Sequence, residues 1–150
     1  MAKKHVFVSY SHIDREEVSK LVGDLKKHGE AVWWDAMIPL GADWAREIRL
    51  AIRESYAVII CVSSSSEEHY RNKSGIFPEL SNAIERLREF NPGQSFIFPV
   101  KLSPCELPFI EIDSTRTLDR LQHVEFFPLQ ERDQAVDRLV AGLRRAAEHP

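Results

Sequence analysis

The residue best placed for chemistry lies in the stretch from Ala57 to Phe90, AVIICVSSSSEEHYRNKSGIFPELSNAIERLREF. Ala57 to Val62 is a continuous apolar run rich in β-branched residues, the pattern of a strand covered on both faces. Pro78 stands where a helix can begin, and Leu80, Ile84 and Leu87 follow at helical spacing. Glu79 is therefore expected in the first turn of a helix, near the carboxyl end of a buried strand. Open α/β sheets bind ligands at that end. A carboxylate there has two readings: it complements the helix dipole, or it does chemistry. Ser9, Tyr10 and Ser11 close the first strand, and Trp34 and Trp44 flank a loop from Asp35 to Asp43. If the first and third strands are neighbours, these groups face Glu79. A lone carboxylate beside hydroxyls and aromatic rings suits cleavage of a glycosidic bond to a good leaving group. It can stabilise an oxocarbenium-like transition state or hold ribose hydroxyls. A pyridinium leaving group needs no general acid, so the usual second carboxylate is dispensable. Each residue also has a plainer reading. Tyr10, Trp33, Trp34 and Trp44 are more often packing than stacking platforms, and Asp35 serves as a turn residue.

Other chemistries lack their residues. No GxGxxG follows a strand and no GxxxxGK[ST] occurs. There is no HExxH, and His5, His12, His28, His69, His123 and His149 lack ligand spacing, so no metal site is expected. No GxSxG elbow is present, and the run Ser63 to Ser66 reads as a strand-to-loop cap. A phosphate-accepting receiver would need an acidic pair after the first strand and an aspartate after the third. Here the first strand ends in Ser-Tyr-Ser and the third in serines.

The elements that would position Glu79 alternate between strand and helix. His5–Tyr10 is the first strand. Asp14 is expected to cap a helix whose apolar stripe is Val18, Leu21, Val22 and Leu25, and Gly29 to stop it. Ala31–Trp34 is a second strand and Trp44–Ser55 a second helix, with Ala45, Ile48, Ala51 and Ile52 on one face. Asn91, Pro92 and Gly93 end the helix that carries Glu79. Ser95–Leu102 is a fourth strand, whose Pro99 points to an edge position, a bulge or the strand's end. His123–Phe127 is a short fifth, and after Pro128 comes a helix faced by Val136, Leu139, Val140 and Leu143. Alternation of this kind implies a parallel sheet with right-handed crossovers. The expected fold is α/β, a flavodoxin-like three-layer α/β/α sandwich with a five-stranded parallel sheet of order 2-1-3-4-5.

Composition agrees with one soluble domain of 150 residues and net charge −3, without a basic tail. That argues against nucleic acid or an anionic membrane surface as the main partner. Cys61 and Cys105 lack CxxC spacing, which favours a reduced, cytoplasmic setting. No secretory leader and no apolar run of membrane-spanning length is seen.

Taken together, the motifs resemble the Toll/interleukin-1 receptor homology (TIR) domain of the bacterial type. Phe7-Val8-Ser9-Tyr10-Ser11-His12 followed by Asp14 is similar to the family's first box. Val32-Trp33-Trp34-Asp35, then Ile38-Pro39-Leu40-Gly41-Ala42-Asp43-Trp44, resembles its second strand and BB loop. Ser74-Gly75-Ile76-Phe77-Pro78-Glu79-Leu80 resembles the segment with the family's catalytic glutamate, and Phe98-Pro99-Val100-Lys101-Leu102 its fourth strand. The resemblance covers nearly the whole chain. It implies Glu79 as the catalytic carboxylate and Ser9, Tyr10, Ser11, Asp35, Trp44 and Phe77 as substrate-binding residues. It also implies a mobile BB loop whose Met37, Ile38, Pro39, Leu40 and Gly41 meet a neighbouring subunit. Catalytic members cleave NAD+ to nicotinamide and ADP-ribose or a cyclic isomer, with NAD+ as substrate and no cofactor. Other members are homotypic signalling scaffolds. Bacterial ones often act in anti-phage defence, fused to or paired with a sensor, so the chain is expected to be one TIR domain, whole or the start of a longer effector. One departure stands out. Many catalytic members carry a Trp four residues before the glutamate, where this chain has Gly75, and Phe77 is the nearest aromatic residue.

Overall fold

The structure, a computed structural model, describes residues 5–66, 97–109, 111 and 116–148. Glu79, Phe77, Gly75 and the helix expected after Pro78 lie outside the described residues. The sheet has five parallel strands in the order β2-β1-β3-β4-β5. They are β1 (His5–Ser9), β2 (Val32–Trp33), β3 (Ser55–Val62), β4 (Ile97–Lys101) and β5 (Val124–Glu125). Three α-helices are described: α1 (Arg15–Lys27), α2 (Trp44–Arg53) and α3 (Arg132–Ala147). This is the flavodoxin-like architecture expected from the sequence.

β3 is the axis of the molecule, with β1 on one side and β4 on the other. Its apolar run divides by alternation. Ala57, Ile59 and Cys61 join the core under α1 and α3. Val58, Ile60 and Val62 join the core under α2. Both sets are fully buried, each large apolar side chain contributing roughly 1.5–3 kcal/mol. The strand starts at Ser55, two residues before the apolar run, because its polar residues find partners. Ser55 Oγ donates to the Ile52 carbonyl at 2.6 Å, and Tyr56 Oη donates to Glu30 Oε2 at 2.9 Å. α2 accordingly ends at Arg53.

The helices follow their apolar stripes. α1 buries Val18, Leu21, Val22 and Leu25. α3 buries Ala135, Val136, Leu139, Val140, Leu143 and Ala146. In α2 only Ile48, Ala51 and Ile52 are buried, whereas Ala45 is exposed in the first turn. Asp43 caps α2, its Oδ1 accepting from the Arg46 amide at 3.2 Å. α1 closes in a Schellman turn, with Glu30 N donating to the Leu25 carbonyl and Gly29 at φ +84°.

Asp14 departs from its expected role. It occupies the cap position of α1, yet its side chain makes no cap bond. It is buried instead, and Oδ1 accepts from Ser63 Oγ at 2.7 Å. Pro99 is tolerated inside the sheet for a local reason. Lys101 O accepts from Phe126 N, and Leu102 N donates to Val62 O. Alternation therefore turns Pro99 toward β5, whose pairing begins only at Val100.

Candidate functional site

The carboxyl ends of β1 and β2 meet at Tyr10 and Asp35. β1 stops at Ser9, and Tyr10 Oη donates a hydrogen bond to Asp35 Oδ1. Asp35 opens a short 3-10 turn, Asp35–Met37, with Met37 N bonded back to the Trp34 carbonyl. Three further side chains surround the pair. Arg15 Nη1 donates to Tyr10 Oη at 3.5 Å and stands 4.0 Å from Asp35 Oδ1. His12 Nε2 is 3.9 Å from Asp35 Oδ2. The Trp34 ring lies tilted 6.0 Å from Tyr10, and the Arg15 guanidinium sits 5.6 Å over it.

Burial pushes the Tyr10 phenol well above the ordinary tyrosine range, and the hydrogen bond to Asp35 and that carboxylate's charge push the same way. At neutral pH the phenol therefore keeps its proton. It acts here as a fixed donor and not as a base. The pair ties the start of the loop to the end of β1.

Tyr10 and the serine before it lie on opposite faces of the sheet. Tyr10 packs with Trp34 against the core under α1. Ser9, by alternation, shares the opposite face with Phe7, and both Ser9 and Ser11 are buried. The serines after β3 form a closed network. Ser63 N donates to Ser66 Oγ at 2.8 Å, Ser66 N returns a bond to Ser63 Oγ at 3.1 Å, and Ser63 Oγ reaches Asp14. No partner meets the second oxygen, Asp14 Oδ2, among the described residues.

Residues 35–43 form the loop expected from the sequence. Ile38 is half-buried and packs with Trp33, Cys105, Leu107 and Leu121 against the core under α2. Met37 and Leu40 are exposed, and Pro39 beside them is exposed too. Ala42 N bonds to the Pro39 carbonyl, and Gly41 has φ +87°. This is a type II turn with Leu40 at its tip, and the positive φ suits glycine. Trp44, half exposed, begins α2 at the loop's far end. Sequence reasoning named Tyr10 and Asp35 without their mutual bond, and it missed Arg15. The signal for Arg15 was its position one residue into a helix that starts beside Tyr10. Among the described residues no group of His, Cys, Asp and Glu side chains could hold a metal ion.

A family model of the TIR domain matches residues 6–140. The chain belongs to the TIR-domain family. Solved structures agree at the level of the fold. The TIR domain of the Toll-related receptor TRR-2 from Hydra magnipapillata is 20% identical, with TM-score 0.60, over 93% of this chain and 97% of that one. A metazoan TIR-STING receptor from C. gigas, in complex with 2',3'-cGAMP, is 19% identical with TM-score 0.66; the match covers 99% of this chain and 40% of that one. The TIR domains of the activated Roq1 resistosome are 20% identical with TM-score 0.55, over 98% of this chain and 85% of that one. No curated protein sequence matches the chain. In this TIR domain no described helix is long and apolar enough to cross a membrane.

Proposed function

We propose that this TIR domain is an NAD+ glycohydrolase switched on by self-assembly, acting as a cytoplasmic effector in anti-phage defence under the control of a sensor domain or protein. The observation that carries the reading is Glu79, standing in a segment similar to the family's catalytic one, within a chain that belongs to the family. In the reaction the bond between the ribose anomeric carbon and the pyridinium nitrogen breaks, and nicotinamide leaves with the electron pair. Glu79 stabilises the oxocarbenium-like carbon or holds the ribose hydroxyls. Water then attacks and releases a proton, giving ADP-ribose; attack by a hydroxyl or ring nitrogen of the same molecule gives a cyclic isomer. Ser9, Tyr10, Ser11, Asp35, Trp44 and Phe77 are proposed to shape the substrate site, with the Tyr10–Asp35 bond fixing the loop that borders it.

The exposed Met37, Pro39 and Leu40 support the assembly step, because apolar side chains at a loop tip suit contact with a second copy. The same exposure supports a second reading, a non-catalytic scaffold that only assembles. Among the similar structures, the Roq1 TIR domains come from an activated resistosome, an assembly of that protein. One experiment separates the readings. Nicotinamide release from NAD+ is followed at rising protein concentration, with and without a crowding agent, for the wild type and Glu79→Ala, and the products are resolved by chromatography. Release that climbs steeply with concentration and vanishes in an assembling Glu79→Ala variant establishes the hydrolase. Filaments that leave NAD+ intact establish the scaffold.

A further inference from the structure

We propose that a groove on the α1 side of the sheet, beside the Tyr10–Asp35 pair, binds a nucleoside monophosphate. The groove is open, about 760 Å³ in volume. That lies within the range of small-molecule sites and is far more than a lone phosphate needs. One wall is the solvent face of α1, opposite its buried stripe, with Glu16, Ser19 and Lys20 at helical spacing. The other wall is the strand-to-turn corner of Trp34 and Ala36. Trp34 packs on the α1 core, whereas Ile38, a few residues on, packs on the opposite one. The groove therefore opens on the α1 side, away from the face that the loop's anchor occupies.

Its lining sorts by ligand part. Arg15 and Lys20 supply positive charge, with His12 beside them, in a chain whose net charge is −3. Arg15 is half exposed, its contacts to Tyr10 and Asp35 are long, and stacking on Trp34 holds its fork in place. A guanidinium so held suits a phosphate, which it can meet with two parallel bonds. Lys20 pairs with Glu17 at 3.2 Å, but both are exposed, and such pairs exchange partners at little cost. Trp34 and Ile13 offer apolar surface to a flat ring. Glu16, the single acid among the described lining residues, accepts from a ribose diol or an exocyclic amine. Phosphate, ring and diol together describe a nucleoside monophosphate.

The test is a titration of the full chain with AMP, adenosine and inorganic phosphate, followed by amide NMR and calorimetry. The expected result is saturable binding of AMP, with shifts at Ser19, Lys20 and Ala36. Adenosine and phosphate should each bind about tenfold or more weakly. Arg15→Ala with Lys20→Ala should weaken AMP by at least about tenfold, with the same spectra confirming the fold. Glu16→Gln should weaken AMP and leave phosphate unchanged. Glu79→Ala should bind AMP like the wild type, so loss of NAD+ cleavage and loss of this site are separate results. Absence of saturable shifts in the groove, equal affinity for AMP and phosphate, or an unaffected double variant would each overturn the proposal.

Discussion

Tyr10 and Tyr56 carry the clearest pH signature in the protein. Burial, then a hydrogen bond to a carboxylate, raises both phenols above the tyrosine range, through Asp35 for one and Glu30 for the other. Above the unfolded tyrosine value the unfolded chain sheds these protons while the folded chain keeps them, so rising pH drives the balance toward unfolding. The contribution is whole below the unfolded value of about 10 and is lost as pH rises beyond it. Urea midpoints should thus fall above about pH 10, and Tyr10→Phe with Tyr56→Phe should flatten that alkaline limb. An unchanged limb in the double variant would refute the assignment. Ser63 makes a second residue-level prediction. Its hydroxyl bonds the buried Asp14 carboxylate, so Ser63→Ala should cost about 1.5–3 kcal/mol in denaturant unfolding. A loss under about 0.5 kcal/mol, the range of ordinary surface changes, would mean the bond is immaterial. Neither pair was legible in the sequence. Tyr10 and Asp35 are 25 positions apart, and Asp14 and Ser63 are 49 apart. Local rules assigned each a local task, a helix cap for Asp14 and a strand cap for Ser63, and tertiary partners displaced the first.

The loop from Asp35 to Asp43 behaves as an element with an inside and an outside. Ile38 is its anchor and Leu40 its tip. Ile38→Ala should lower stability by about 1–3 kcal/mol, less than a fully buried site would. It should also raise amide exchange across the loop. Leu40→Ser should leave the unfolding midpoint within about 0.5 kcal/mol while shifting self-association to higher concentration in sedimentation experiments. If both variants gave the same stability loss, the division of the loop would be wrong. Hydrophobic periodicity makes most of the elements legible in the sequence. The stripes of α1 and α3 came through intact, because burial of one helix face is what such spacing encodes. Strand ends were less legible. β3 begins two residues early because Ser55 and Tyr56 satisfy their polar atoms in the fold, and Ala45 lies outside the core because α2 buries only its later turns. Pro99 pointed to an edge position, a bulge or the strand's end, yet it lies mid-way along a regularly paired inner strand. Its position, turned toward the partly paired side of an inner strand, required knowing where β5 begins.

The whole molecule is closed by its C-terminal helix. α3 lies on the same side of the sheet as α1, and polar ties run from it to the last turn of α1 and the residues just beyond. Arg132 donates two bonds to Asp24 Oδ2, His28 Nε2 stands 3.4 Å from Asp137, and Arg144 Nε is 3.4 Å from Glu30. Beneath them Leu143 is fully buried, and Gly142 leaves room for the Phe98 ring. Leu143→Ala should cost about 2–5 kcal/mol and unfold the chain in one transition seen equally by near-UV and far-UV dichroism. Separate transitions would show that α3 is an appendage. The two border strands carry a different implication. β2 and β5 are each paired over two residues, so either rim of the sheet offers almost no open ladder of amides and carbonyls. Long bare rims invite cross-chain β pairing and amyloid, and abbreviated ones resist it. Concentrated samples should therefore stay insensitive to thioflavin T, with any self-association reversible on dilution, and a rising thioflavin signal would show that the rims do pair.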